Sequence, residues 1–225
     1  MQSSWNENRI LLRGRLAGPP EESHVNHGVT YFRLPLAVRR LSGAEDRLNL
    51  IAAQSQLEAL PLHPGDRLAV SGEVRTFNNR SGAGSRLVIS VFARTLLPCP
   101  PEEEDDNRLT LSGALCKPPS LRVTPLGRTI CDMILAVNRR YSRADYLPCI
   151  AWGSLAHLCG SLTVGDRVRL TGRLQSRLYS KTIEGRLEER TAFEVSIMSL
   201  TQEEVSPPPE PVLLHTQAAH AEGGL

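Results

Sequence analysis

Between Arg139 and Lys181 the sequence interleaves flat side chains with cations. The stretch NRRYSR gathers Arg139, Arg140, Tyr141 and Arg143; Tyr146 and Trp152 follow, then Arg169, Arg173, Arg177, Tyr179 and Lys181. A guanidinium group can stack on a ring as well as pair with an anion. A strand of unpaired nucleotides presents both targets, open base faces and phosphates. The combination therefore predicts binding of a single-stranded polyanion by stacking plus ion pairing. Catalysis finds less support. Asp132 stands alone on its strand, Asp66 and Asp166 sit in Gly-Asp turns, and no G-x-x-x-x-G-K-[ST] loop occurs. A nuclease would need clustered carboxylates and a metal, so no enzymatic role and no cofactor are expected. The five cysteines form no C-x-x-C pair, and His24 and His27 make a lone surface H-x-x-H, so no metal site is expected either.

The elements that must present these residues are visible as a repeat. NRILLRGRLAGPP (8–20) lies over NRLTLSGALCKPP (107–119), HGVTYFRLPLAV (27–38) over LGRTICDMILAV (126–137), and GDRLAVSGEV (65–74) over GDRVRLTGRL (165–174). Each copy reads as a strand, an alternating strand, a short third strand, a helical stretch, a Gly-Asp turn into a fourth strand, and a fifth strand. In the fourth strand of the second copy, Val168, Leu170 and Leu174 share one parity and Arg167, Arg169, Arg173, Arg177 and Tyr179 the other. Tyr146 and Trp152 take the parity opposite Leu147, Cys149 and Ala151 in the third. The expected fold is all-β, two tandem OB-fold five-stranded barrels, each with a short helix between strands three and four. Pro35 and Pro148 suggest an edge or a bulge. The segments Asn78–Arg86 and Ser180–Arg190 are expected to be loops between strands four and five.

Charge is segregated. Residues 8–98 carry 12 Arg against 7 acidic groups, and residues 107–200 carry 14 Lys plus Arg against 7, so both bodies are basic. EEEDD (102–106) and the tail are acidic and could compete for the same surfaces. The expected organisation is a first OB fold over 1–98, an acidic Pro-rich linker over 99–106, a second OB fold over 107–200 and a flexible Pro-rich tail over 201–225. No apolar run approaches a membrane span, and MQSSWNENR has neither the basic nor the apolar region of a secretory signal. A cytoplasmic protein with no membrane role is expected.

NRLTLSGALCKPPSLRVTPLGRTICDMILAVNRRY followed by CIAWGSLAHLCGSLTVGDRVRLTGRLQSRLYS resembles the bacterial single-stranded DNA-binding protein (SSB) family. The first copy resembles it more weakly, so the whole is similar to members with two OB folds on one chain. The resemblance implies single-stranded DNA binding in replication, recombination or repair, in the nucleoid, with Tyr141, Tyr146, Trp152 and Tyr179 where family members stack bases. It also implies a homodimer carrying four OB folds. Family members end in an acidic tip that docks replication and repair enzymes, and HAEGGL does not match it. At the places of the four rings the first copy has Leu41 (or Arg40), Arg47, Ala53 and Asn79. Its Arg39, Arg40, Arg47 and Arg75 are then expected to supply phosphate contacts and assembly rather than stacking. Tyr31 and Phe77 could partly substitute for the missing rings, although Phe77 is rather expected to cap its barrel. The rival reading is an RNA-binding or assembly OB module with its rings between subunits.

Overall fold

The computed structural model describes residues 7–79, 87–141, 143–183 and 186–203. The first copy runs β1 (Asn8–Leu16), β2 (Glu21–Asn26), β3 (Val29–Arg39), β4 (Glu45–Ala53), α1 (Gln54–Glu58), β5 (Arg67–Asn78) and β6 (Leu87–Pro98). The second repeats it as β7 (Asp106–Leu115), β8 (Ser120–Val123), β9 (Thr129–Arg139), β10 (Arg143–Trp152), α2 (Ser154–Gly160), β11 (Arg167–Ile183) and β12 (Arg186–Gln202).

Five strands of each copy close into a barrel. In the first, β1 pairs with β5, β5 with β6, β6 with β4, β4 with β3, and β3 returns to β1 at Arg15↔Ala37 and Leu16↔Leu36. The β4–β6 pairing is parallel, as is its counterpart β10–β12. Inward residues of the alternating strands fill the core: Leu34, Leu36, Leu48 and Leu50 in one barrel, Leu135, Val137, Leu147 and Val168 in the other. Burying a side chain of this kind contributes about 1.5–3 kcal/mol. The repeated glycines mark backbone crossings. A Cβ at Gly14 would strike the Ala37 carbonyl oxygen, and one at Gly113 that of Ala136. Gly72 and Gly172 sit at the only register shifts of β5–β6 and β11–β12, against the carbonyls of Phe92 and Ser196.

The structure departs from the sequence expectation in four places. Each copy adds an outer strand, β2 or β8, hairpinned to β3 or β9. Pro35 and Pro148 lie inside β3 and β10, and their pairings with β4 and β9 carry no register shift. The expected Ser180–Arg190 loop is mostly strand, with β11 and β12 paired out to Ile183↔Arg186. Residues 80–86 of the first loop, and the tail after 203, lie outside the described residues.

The fourth departure is the linker. Cys99 is buried, and Arg67 meets Asp105 at 2.8 Å while donating to the Glu103 carbonyl. Arg13 meets Glu103 at 2.8 Å, and Asp105 accepts from the Arg39 amide. The acidic run is thus packed along the first barrel before entering β7.

The two barrels join through β1 and β7, antiparallel from Asn8↔Leu111 to Arg13↔Asp106, so one sheet of 12 strands runs through both. Two fully buried carboxylates flank this seam with approximate twofold symmetry. Asp46 on β4 accepts from Arg40 (2.7 and 2.5 Å) and from the Ser176 amide on β11 (2.7 Å). Asp145 on β10 accepts from Arg139, from Arg75 (3.1 Å) and from the Thr76 amide on β5 (2.5 Å). Each carboxylate binds the arginine of its own hairpin and the backbone of the other barrel. A buried charge is tolerated on such terms, with partners for its lone pairs.

Candidate nucleic-acid interface

The third and fourth strands of the second barrel carry Tyr146, Trp152 and Tyr179 at outward parity, and the β9–β10 turn carries Tyr141. Trp152 closes β10 opposite buried Ile130 and keeps 41 % of its surface exposed. Tyr146, on the same face, is half-exposed. Tyr141 stands at the β9–β10 turn, 91 % exposed, with φ of +61°. An aromatic residue in the left-handed region costs on the order of 1 kcal/mol or more, and no packing offsets it here. Tyr179 is half-buried on β11, with the Arg177 guanidinium 5.7 Å from its ring centre.

Trp152 opens into a cleft of about 440 Å³, whose lining includes Arg40, Arg128, Arg173, Arg177 and Glu194. Arg173 and Arg177 project from β11 at the parity that the sequence assigns to the outside. Among the described residues neither is held in an ion pair, and the Arg173 Nε is buried without a hydrogen-bond partner. An orphaned guanidinium nitrogen beside an exposed indole is a site for an anion next to a flat ring. Arg128, from the β8–β9 turn, was missed from sequence. The signal was its place just before β9, whose Thr129 carbonyl receives the Gly153 amide and so brings the turn to Trp152.

The remaining expected cations divide. Arg140 and Arg143 are exposed, and among the described residues no ion pair holds them. Arg169 is exposed but meets Glu7 at 2.8 Å, which raises its pKa. Arg39 is exposed; Arg47 is exposed, with Glu45 at 3.3 Å. The side chain of Lys181 lies outside the described residues.

Asp46 and Asp145 hold Arg40, Arg75 and Arg139 at the seam, so these three expected cations are already engaged in ion pairs. The hydrogen bonds of Asp46 raise the Arg40 pKa, although Arg40 also lines the Trp152 cleft. Burial lowers the Arg75 pKa against the pull of Asp145. Arg139 also donates to the Thr76 carbonyl. Phe77 departs from expectation. Among the described residues it lies outside the core cluster, 48 % exposed, with the Arg139 guanidinium 5.6 Å from its ring centre.

The profile of the single-strand binding protein family matches residues 106–202. A single-stranded DNA-binding protein of Clostridium tetani is 36% identical over 80 residues, 32% of this chain and 55% of that protein. One from Halalkalibacterium halodurans is 33% identical over 100 residues, 41% of this chain and 56% of that one. The chain thus spans about half the length of these curated relatives. A Thermus thermophilus single-stranded DNA-binding protein is 29% identical over 195 residues, 74% of each chain. The crystal structure of a deletion variant of the Thermus aquaticus single-stranded DNA-binding protein superposes with a TM-score of 0.73 at 25% identity, covering 92% of this chain and all of that one. With two closed OB barrels in one sheet and the profile seated on the second, the chain resembles the single-strand binding protein family, in the form that carries two OB folds.

Proposed function

We propose that this chain binds single-stranded DNA with little sequence preference and protects it during replication, recombination or repair. Tyr141, Tyr146, Trp152 and Tyr179 stack bases, and Arg128, Arg140, Arg143, Arg173 and Arg177 hold phosphates. The observation that carries the reading is the Trp152 cleft with its unpaired Arg173 and Arg177. An exposed indole contributes roughly 1–3 kcal/mol per stacked base, and its neighbouring cations release counterions from the strand. The seam explains why the first barrel matters to this site: Asp46 grips the Ser176 amide, the residue before Arg177, and Arg40 completes the cleft wall.

The working form under this reading is a cytoplasmic homodimer with four OB folds and no catalytic activity, handing DNA to replication and repair proteins. No helix among the described residues is long and apolar enough to cross a membrane. The test is a titration of Trp152 fluorescence, in a Trp5→Phe background, with dT oligomers of graded length beside duplex and RNA controls. Quenching by dT alone supports the reading. Equal quenching by RNA moves it to an RNA module, and no quenching overturns it.

A further inference from the structure

The first barrel has no ring at the place of Trp152, where Ala53 closes β4. It has two rings on either side of that place. Tyr31 on β3 is the direct partner of Ala53, and Phe92 on β6 is the partner of Ile51 on the other edge of β4. Both take the outward parity of their strands, opposite Leu34 on β3 and Val91 on β6. Across β4 they meet, ring centres 5.5 Å apart and tilted by 49°. The second barrel inverts this arrangement: Trp152 fills the middle strand, with buried Ile130 and small Ser196 at the places of Tyr31 and Phe92. Aromatic surface is thus kept on the corresponding patch and moved from the centre to the flanks.

The patch extends outward. His24 on β2 stacks on Tyr31 at 5.1 Å and 13°, and the Arg94 guanidinium lies 5.2 Å from the Phe92 ring centre. Tyr31 and Phe92 lie outside the hydrophobic core cluster, against which Phe32 supplies the β3 ring. His24 is exposed and the other two rings are half-buried. Glu73 holds Arg94 at 3.0 Å and also pairs with Arg75, whereas the second barrel places Arg173 at the Glu73 position. The patch therefore offers flat surface with its cations already neutralised.

The geometry points to a second base-stacking platform, built from Tyr31, Phe92 and His24 on the first barrel, that takes unpaired nucleobases with little phosphate neutralisation. It rests on the single-stranded DNA reading above and extends the strand's path onto the first barrel. Its ligand is the far end of the same strand. Because its charges are paired, removing it lowers affinity without changing the salt slope.

The test uses the full chain with Trp152 as reporter and Tyr31→Thr/Phe92→Thr as the variant, β-formers that suit the strands. Short dT oligomers are expected to titrate as in the parent. Oligomers long enough to reach both barrels should bind roughly 5- to 100-fold more weakly, with the log–log salt slope unchanged. In a Trp5→Phe/Trp152→Phe background, Tyr31→Trp should give an indole quenched by long dT. The inference is overturned if the double variant binds every length like the parent, or if the new indole does not respond. If Trp152 itself is not quenched by any oligomer, the DNA reading fails first and takes this one with it.

Discussion

The two barrels share a backbone plan and spend their arginines differently. In the first, Arg13, Arg15, Arg33, Arg40, Arg47, Arg67, Arg75 and Arg94 all face carboxylates within ion-pair distance. In the second, Arg128, Arg173 and Arg177 line the Trp152 cleft, Arg140 and Arg143 flank Tyr141 in the chain, and among the described residues no carboxylate claims these five. Two similar net charges therefore describe unlike surfaces. A paired guanidinium has little left to offer a phosphate, while an unpaired one beside an indole can bind both parts of a nucleotide. Net charge bears on attraction to a polyanion, and the pairing of each cation decides where the contact forms.

The seam gives the largest way to break this comparison. Asp145 holds two guanidinium groups, Arg139 and Arg75, whereas Asp46, among the described residues, holds one, Arg40. Replacing Asp145 with Ala should cost about 3–5 kcal/mol of stability, the usual penalty for stranding a buried charge. Asp46→Ala should cost less. Denaturant unfolding of both variants checks this; equal losses would make the two halves of the seam equivalent.

The rings come next. Trp152→Ala should weaken dT binding by about 1–3 kcal/mol, whereas Leu41→Ser should leave it within about twofold of the parent, in the range of neutral surface changes. Leu41 occupies the turn equivalent to that of Tyr141 and is fully exposed, so it is a fair control. Affinities from fluorescence anisotropy of labelled dT measure both. A smaller effect is expected on salt. Arg173→Gln and Arg177→Gln should each flatten the log–log slope by roughly 0.7, and Arg13→Gln, already paired to Glu103, should not.

The smallest effect concerns the thiols. Burial pushes the Cys159 thiol from about 9 up to about 12, and it pushes Cys149 up as well. A thiol that stays protonated only when folded stabilises the native state below pH 9. That contribution is lost as pH rises from 9 towards 12, where the unfolded chain alone has released its proton. Cys159→Ala should therefore show a shallower fall in Tm over that window.

Much of this was legible in the sequence because it is local. Alternation of Phe32, Leu34, Leu36 and Val38 marks a half-buried strand, and the repeated Gly-Asp opens the fourth. The parity of Arg173, Arg177 and Tyr179 places them outside. What escaped depends on contacts far apart along the chain. Asp46 and Asp145 look like ordinary strand polars until Ser176 and Thr76 arrive from the other barrel. The strands β2 and β8 are wholly exposed, EESHVN and SLRV, so no buried face imposes a pattern on them. The acidic linker reads as a free spacer until its carboxylates find Arg13 and Arg67. Tyr31 and Phe92 are far apart in sequence and meet only across β4.

The most direct test of the central claim is photochemical. Single strands carrying 5-iododeoxyuridine would be cross-linked to the full chain and the attached residues located by mass spectrometry. Attachment at Trp152 and at one or more of Tyr141, Tyr146 and Tyr179 is the expected result. A strand that binds yet cross-links to none of these four rings would contradict it.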